Sequence, residues 1–449
     1  MIKMKTNKLG MLAMGMAVLA TAACSNSRSE AGTNDRGKPV SAEGKTVVNF
    51  SVQESSSFFE AAEKRFEEKH PDIDLQIQAV TKAEEDWKPG DYEKYTKTTN
   101  TELLSGKGAD ILEVAELPFE EYASKQLIVN MNELLKQDTS LSGVDLQAKL
   151  EVFKTDGDLY AMPLGYFMRG FIGDGNLLAD ESIDDSRWTW AEFAKVAKGL
   201  MCKESQGGMD RRYALANEPP DRMLWEIVVD DYADFVDVSG KKAAFDSPKF
   251  VAVMQQVKKM YDDGIATAEP AEIGGQLFYS TVLSSPANLI DEIHYFFANP
   301  KLIGKPQAGK VGTRLAPSVQ LAIRANSPVK DEAWKFVSFL LSEEVQSLKE
   351  REDYGFSLLD SVNEKELRDV QKQVNAGTYK LPSGQKAQVS AEQFAQYEQF
   401  MRSTGYYTRI DGKVVRMIRE ESPPFFSGQK SADEVAKLIQ NRATTYLND

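Results

Sequence analysis

The stretch Thr46-Val47-Val48-Asn49-Phe50-Ser51-Val52 sets Val48, Phe50 and Val52 on one face at a period of two, the mark of a strand. Immediately downstream, Ser57-x-x-Glu60 has the form of a capping box, and Phe58, Phe59, Ala62 and Phe66 follow at helical spacing until Pro71. Leu75, Ile77 and Ala79 alternate again. Tyr92 to Ser105 reads as a helix closed by Gly106 and Gly108, and Ala109 to Val114 as a third strand. Strand, helix, strand, helix, strand with short connections requires right-handed crossovers and a parallel sheet, so this part of the chain is predicted to be α/β. Ligands of open parallel sheets gather outside the carboxyl ends of the strands. That rule directs attention to two turns, Gln53-Glu54-Ser55-Ser56 and Ala115-Glu116-Leu117-Pro118. No Gly-x-Gly-x-x-Gly follows the first strand and no Gly-x-x-x-x-Gly-Lys-Ser/Thr loop occurs, so nucleotide phosphate binding is unsupported.

Upstream, the chain carries an address. Lys3, Lys5 and Lys8 precede an uncharged run from Leu9 to Leu19, and Ala20-Thr21-Ala22-Ala23 leads to Cys24. Charge, apolar core and small residues in that order make a secretory signal over residues 1–23, and the apolar run is too short to span a bilayer. Ala22-Ala23-Cys24-Ser25 resembles a bacterial lipobox, although Thr21 stands where such motifs usually carry Leu; the resemblance implies lipidation at Cys24 and anchoring to the outer face of the cell membrane. Residues 24–44 are polar and are expected to form a flexible tether. Losing residues 1–23 leaves 51 basic against 68 acidic side chains, a balance that keeps a tethered protein off an anionic surface.

Composition narrows the classes further. The 449 residues are 42% hydrophobic and 27% charged, ordinary for a globular chain of two or three units. A net charge of −14 argues against nucleic acid as a partner. His70, His294, Cys24 and Cys202 are the only histidines and cysteines, too few for zinc clusters, a disulfide framework or an imidazole-rich metal site, and no cofactor is expected.

The opening strand with its Glu-Ser-Ser-Ser turn, followed by FFEAAEKRFEEKHPDIDLQIQ, resembles the start of an extracellular solute-binding protein of the carbohydrate type, the receptor of an ATP-driven (ABC) importer. KYTKTTNTELLSGKGADILEV, YASKQLIVNMNELL, GDLYAMPLGYF, VQLAIRANSPVKDEAWKFVSFLLSEEVQ and PFFSGQKSADEVAKLIQNRATTYL continue the likeness in order along nearly all of the mature chain. The resemblance implies a two-lobed periplasmic-binding-protein-like (type II) α/β fold with a ligand cleft between lobes. It implies a first lobe of 45–175 plus 308–352 and a second of 176–307 plus 353–449. The same likeness implies a carbohydrate ligand of oligosaccharide size, permease subunits as partners and a monomeric state. Local patterns agree with a helix-rich second lobe: Trp190, Phe193, Val196 and Ala197 share a face, as do Val251, Met254, Val257 and Tyr261, and Ser431-x-x-Glu434 caps a last helix.

A sugar presents apolar C–H faces to aromatic rings and hydroxyls to carboxylates and Arg. With that chemistry, the likeness implies ligand contacts at Glu54 and Glu116 at strand ends, Tyr166, Phe167 and Arg169 on the segment entering the second lobe, Trp225 after a Pro-broken turn, Asp291, Glu292 and Tyr295 at a strand end near the return to the first lobe, and Tyr354 and Phe356 at a further passage. Each has a plainer reading: Trp225 and Tyr166 as core, Glu54 as a helix-start charge, Arg169 as the partner of an acid. Trp87, in a polar loop, is a candidate rim stacker; Trp334 is assigned to the core, and Trp188 and Trp190 to the start of a helix at Thr189. The rivals are a peptide receptor on the same fold and a secreted glycoside hydrolase, which needs two carboxylates roughly 5–9.5 Å apart. No Gly-x-Ser-x-Gly elbow is present and no carboxylate pair is singled out.

Overall fold

The computed structural model describes residues 32–33, 37–81, 88, 90–115, 117–141, 146–181, 183–206, 213–237, 240–307, 312–403 and 405–448. Cys24, Trp87 and Glu116 lie outside the described residues, as does the signal segment. The strands in chain order are β1 Gly32–Thr33, β2 Pro39–Val40, β3 Thr46–Glu54, β4 Ile73–Thr81, β5 Ile111–Glu113, β6 Met162–Pro163, β7 Tyr166–Asp174, β8 Val236–Asp237, β9 Lys242–Ala243, β10 Phe278–Leu283, β11 Pro300–Gly304, β12 Thr313–Pro317, β13 Gln320–Ile323 and β14 Gly405–Tyr407. They form two principal sheets, β1-β2-β3-β5-β13-β6 with β4 on β3, and β10-β7-β12-β14 with β11 on β7, plus the β8–β9 hairpin.

The parallel reading of the first segment holds: β3 pairs in parallel with both β4 and β5. Phe50, Phe58, Phe59 and Phe66 are buried together, with the Phe50 and Phe59 rings edge-on at 5.0 Å. The helix between β3 and β4 spans Ser57–Lys69, and its cap is Ser56, one residue earlier than the capping-box pattern suggests, because the Ser56 hydroxyl accepts from Phe59 N–H. Thr189–Glu192 and Ser431–Glu434 are reciprocal caps as expected, and Trp188, Trp190 and Trp334 are buried.

Two expected boundaries move. Lys38 donates to both carboxylate oxygens of Glu332 at 2.7 and 2.9 Å, and β2 joins β3 through Val40 and Thr46. The segment expected to be loose up to Gly44 is thus fastened to the first lobe from Lys38 onward. Strand pairing also redraws the lobes: β7 pairs with β12 and β11 in the second sheet, while β6 and β13 pair in the first. The chain therefore crosses at residues 164–165 and 318–319, not near 175 and 307.

A third passage lies against the first crossing. Tyr166 N–H donates to the Phe356 carbonyl at 3.1 Å and Phe356 N–H to the Tyr166 carbonyl at 2.7 Å. Two glycines permit this approach: a Cβ at Gly165 would strike the Tyr354 carbonyl, and Gly355, at φ 77°, would strike the Tyr166 carbonyl. Buried Arg351 staples the crossing by donating to the carbonyls of Gly355 and Phe356 at 2.8 and 2.7 Å. One hydrophobic cluster runs from the first lobe through this crossing to one face of the second sheet; two others cover the remaining faces.

Candidate functional site

Two strands of the first lobe end beside the crossing. β3 terminates in exposed Glu54; β5 terminates in Glu113, whose carboxylate accepts from Gln53 N–H at 2.7 Å; and Val114 N–H donates to the carbonyl of Gln320, next to the second crossing. Tyr354, on the third passage, donates its hydroxyl to Ser56 Oγ at 2.6 Å and packs against Phe58. Burial pushes the Tyr354 phenol up to about 12; the hydrogen bond to Ser56 opposes that, and the charges of Glu113 and Glu54 reinforce it. The structure thus gathers Glu54, Ser56, Glu113 and Tyr354 at one polar rim. Glu113 escaped sequence reasoning, although it ends the third predicted strand.

The opposing wall starts on β7. Alternation sends Tyr166, Met168 and Ile172 into the cluster shared between lobes, and Phe171 into the core on the other face. Phe167 and Arg169 share the Phe171 face. Val282, the cross-strand partner of Arg169, is 49% exposed, so that face opens to solvent beside the guanidinium. The helix Pro220–Asp230 packs here, with the Arg169 guanidinium 5.9 Å from the Trp225 ring centroid. Trp225 is partly buried against the second-lobe core, and its indole N–H has no partner.

Behind Trp225 lies an ionic network. Glu226 accepts from Arg169 and, at 2.6 Å, from Lys305; Asp230 lies 2.9 Å from Arg314 Nε. These residues enclose a pocket of about 10 Å³, room for roughly one water molecule. Burial raises the pKa of a lone carboxyl, but Lys305 and then Arg169 outweigh it and hold Glu226 down to about 2. Burial lowers Lys305 and Arg314 and raises Asp230, whose strongest opposing influence is Arg314. The network fixes the orientation of Arg169 and of the helix that carries Trp225. A sequence signal for it existed: Glu226 interrupts the apolar run from Met223 to Val229.

The other candidates lie elsewhere. Tyr166 and Phe356 are fully buried and stack on each other at 5.7 Å, so packing rather than solvent occupies both rings. Asp291, Glu292 and Tyr295 are not at a strand end: β10 stops at Leu283, and short helices follow at Asn288–Asp291 and Ile293–Phe296. Leu289, Ile290 and Ile293 bury into the shared cluster, which places this group behind the second sheet, opposite Arg169. Asp291 accepts from the Tyr379 hydroxyl at 3.1 Å, burial raises its pKa, and Tyr295 is 51% exposed. Among the described residues no group of three or more His, Cys, Asp and Glu is placed to hold a metal ion, and no helix is long and apolar enough to cross a membrane.

The family model for bacterial extracellular solute-binding proteins matches residues 50–347. The chain belongs to this family. Solved structures with the same fold include a family 1 extracellular solute-binding protein from Alicyclobacillus acidocaldarius, 15% identical with a TM-score of 0.59, covering 91% of this chain and all of that one. The sugar-binding protein MalE from Xanthomonas citri is 18% identical, with a TM-score of 0.59 and coverage of 90% and 98%. An ABC substrate-binding protein from Listeria monocytogenes, in complex with cycloalternan, is 16% identical, with a TM-score of 0.55 and coverage of 90% and 99%. As a solute-binding protein the chain has the two-lobed periplasmic-binding-protein-like architecture that its paired sheets and adjacent crossings describe.

Proposed function

We propose that this solute-binding protein is the receptor of an ABC importer, that it captures an oligosaccharide between its lobes and that it releases the guest chemically unchanged to a permease. The observation that carries the reading is the pairing of unlike walls at one crossing: a carboxylate rim of Glu54 and Glu113 on one side, and Trp225 over Arg169 on the other. Carboxylates and Arg suit a ring of hydroxyls, and an indole suits a sugar's C–H face. The ligands named for structures of the same fold, cycloalternan and cyclic α-maltosyl-1,6-maltose among them, support the carbohydrate class. In this reading Phe167 and Tyr354 complete the lining, Glu116 is a further ligand contact, and the lobes close because a guest touching both binds the closed form better. Secretion, acylation at Cys24, anchoring to the outer face of the cell membrane and a monomeric state belong to the same proposal.

Titration calorimetry against maltodextrins, cyclic glucans, chitooligosaccharides and peptides, with chromatography of the recovered ligand, tests it. Saturable one-to-one binding of an intact glycan is expected. Peptide binding would transfer the receptor to the rival class, and shortened glycan would reveal a hydrolase.

A further inference from the structure

Past β14, one side chain ties the lobes together. Arg409 leaves the second lobe between β14 and the helix Gly412–Glu421, and reaches the short helix Phe119–Ser124 of the first. Its Nη2 donates to the Leu117 carbonyl at 2.9 Å, its Nε lies 2.8 Å from Glu120 Oε1, and its guanidinium carbon sits 4.0 Å from the Phe119 ring centroid. One planar cation thus meets a carbonyl, a carboxylate and a ring face, a combination that the guanidinium fork satisfies and an ammonium does not.

The base of the arm is braced. Asp411 caps the following helix through Lys413 N–H at 2.8 Å, accepts from the Tyr446 hydroxyl at 2.9 Å and donates its own N–H to the Tyr232 hydroxyl at 3.2 Å. The lobes touch again where Phe153 meets Tyr407, ring centroids 5.3 Å apart. Neither contact involves Arg169, Trp225, Glu54 or Glu113.

We propose that Arg409 with Leu117, Phe119 and Glu120 is an inter-lobe clasp that favours the closed form of the chain before any ligand enters. The inference rests on the two-lobe receptor reading but not on the ligand's identity. A clasp that favours closure lowers the conformational cost of binding and slows release, since ligand escape requires it to open.

Small-angle scattering of the ligand-free protein tests the clasp without a ligand. Wild type is compared with Arg409→Ala, Arg409→Lys and Glu120→Gln, each checked for native circular dichroism and cooperative unfolding. The radius of gyration is expected to rise in Arg409→Ala, reflecting about a tenfold shift towards the open form, and to rise less in Arg409→Lys and Glu120→Gln, which keep part of the contact. Scattering identical to wild type in a folded Arg409→Ala protein would overturn the proposal. So would wild-type scattering in both Arg409→Lys and Glu120→Gln, because neither the fork geometry nor the ion pair would then matter. Should Arg409→Ala fail to fold, the Arg409→Lys and Glu120→Gln profiles decide. Failure here leaves sugar capture standing, and failure of the sugar titrations leaves the clasp standing.

Discussion

Two acids, one in each lobe, meet opposite surroundings. In the second, Glu226 sits between Lys305 and Arg169 and is held down to about 2. In the first, half-buried Glu63 is pushed up to about 7, by burial foremost and then by the charges of Glu67, Glu60 and Asp74. One wall is organised by cations drawn from three parts of the chain; the other lobe carries a face of like charges. The ionic network braces the second-lobe wall, whereas the first-lobe rim ends in exposed Glu54.

That contrast can be broken most forcefully at Glu226. Replacing it with Ala leaves Lys305 and Arg169 buried without their anion and is expected to cost about 3–5 kcal/mol in urea unfolding, while Glu54→Ala on the exposed rim stays within about 0.5 kcal/mol. Equal effects would erase the distinction. The pH profile sharpens it. The folded pKa of Glu226 lies below its ordinary value of 4.5, so its contribution is present above pH 4.5 and drains away as pH falls towards about 2. Unfolding curves of wild type should show that loss, and those of Glu226→Gln should lack it.

Next in size comes recognition. Trp225→Ala is expected to weaken glycan binding by tenfold or more in calorimetry with little change in melting temperature, because the ring is only partly buried. Unaltered affinity would remove Trp225 from the binding wall. The smallest effect belongs to Glu63. Its folded pKa is raised above the ordinary 4.5, so its contribution is complete below pH 4.5 and is lost as pH climbs through about 7. Glu63→Gln should raise the melting temperature by a degree or two at pH 8 and by nothing at pH 5; the reverse order would contradict the like-charge account.

Much of the fold was legible because its signals are local. Val48, Phe50 and Val52 alternate within seven residues, and the caps at Thr189 and Ser431 span four. The site was legible in part. Arg169 and Trp225 were found, but as separate candidates, since their meeting depends on a helix folding back onto β7. Asp291 and Glu292 were assigned to a strand end because apolar Leu289-Ile290 precedes them; those residues instead drive two short helices onto the far face of the sheet. Arg409 could not be found at all, since Glu120 lies almost three hundred positions away and no pattern links the two.

The central claim is that one guest touches both walls. Hydrogen–deuterium exchange with the tightest-binding glycan of the panel tests it most directly. Protection should rise together at residues 53–56 and 113–115 of the first lobe and at 167–169 and 222–226 of the second. Protection confined to a single lobe at saturating ligand would contradict the account.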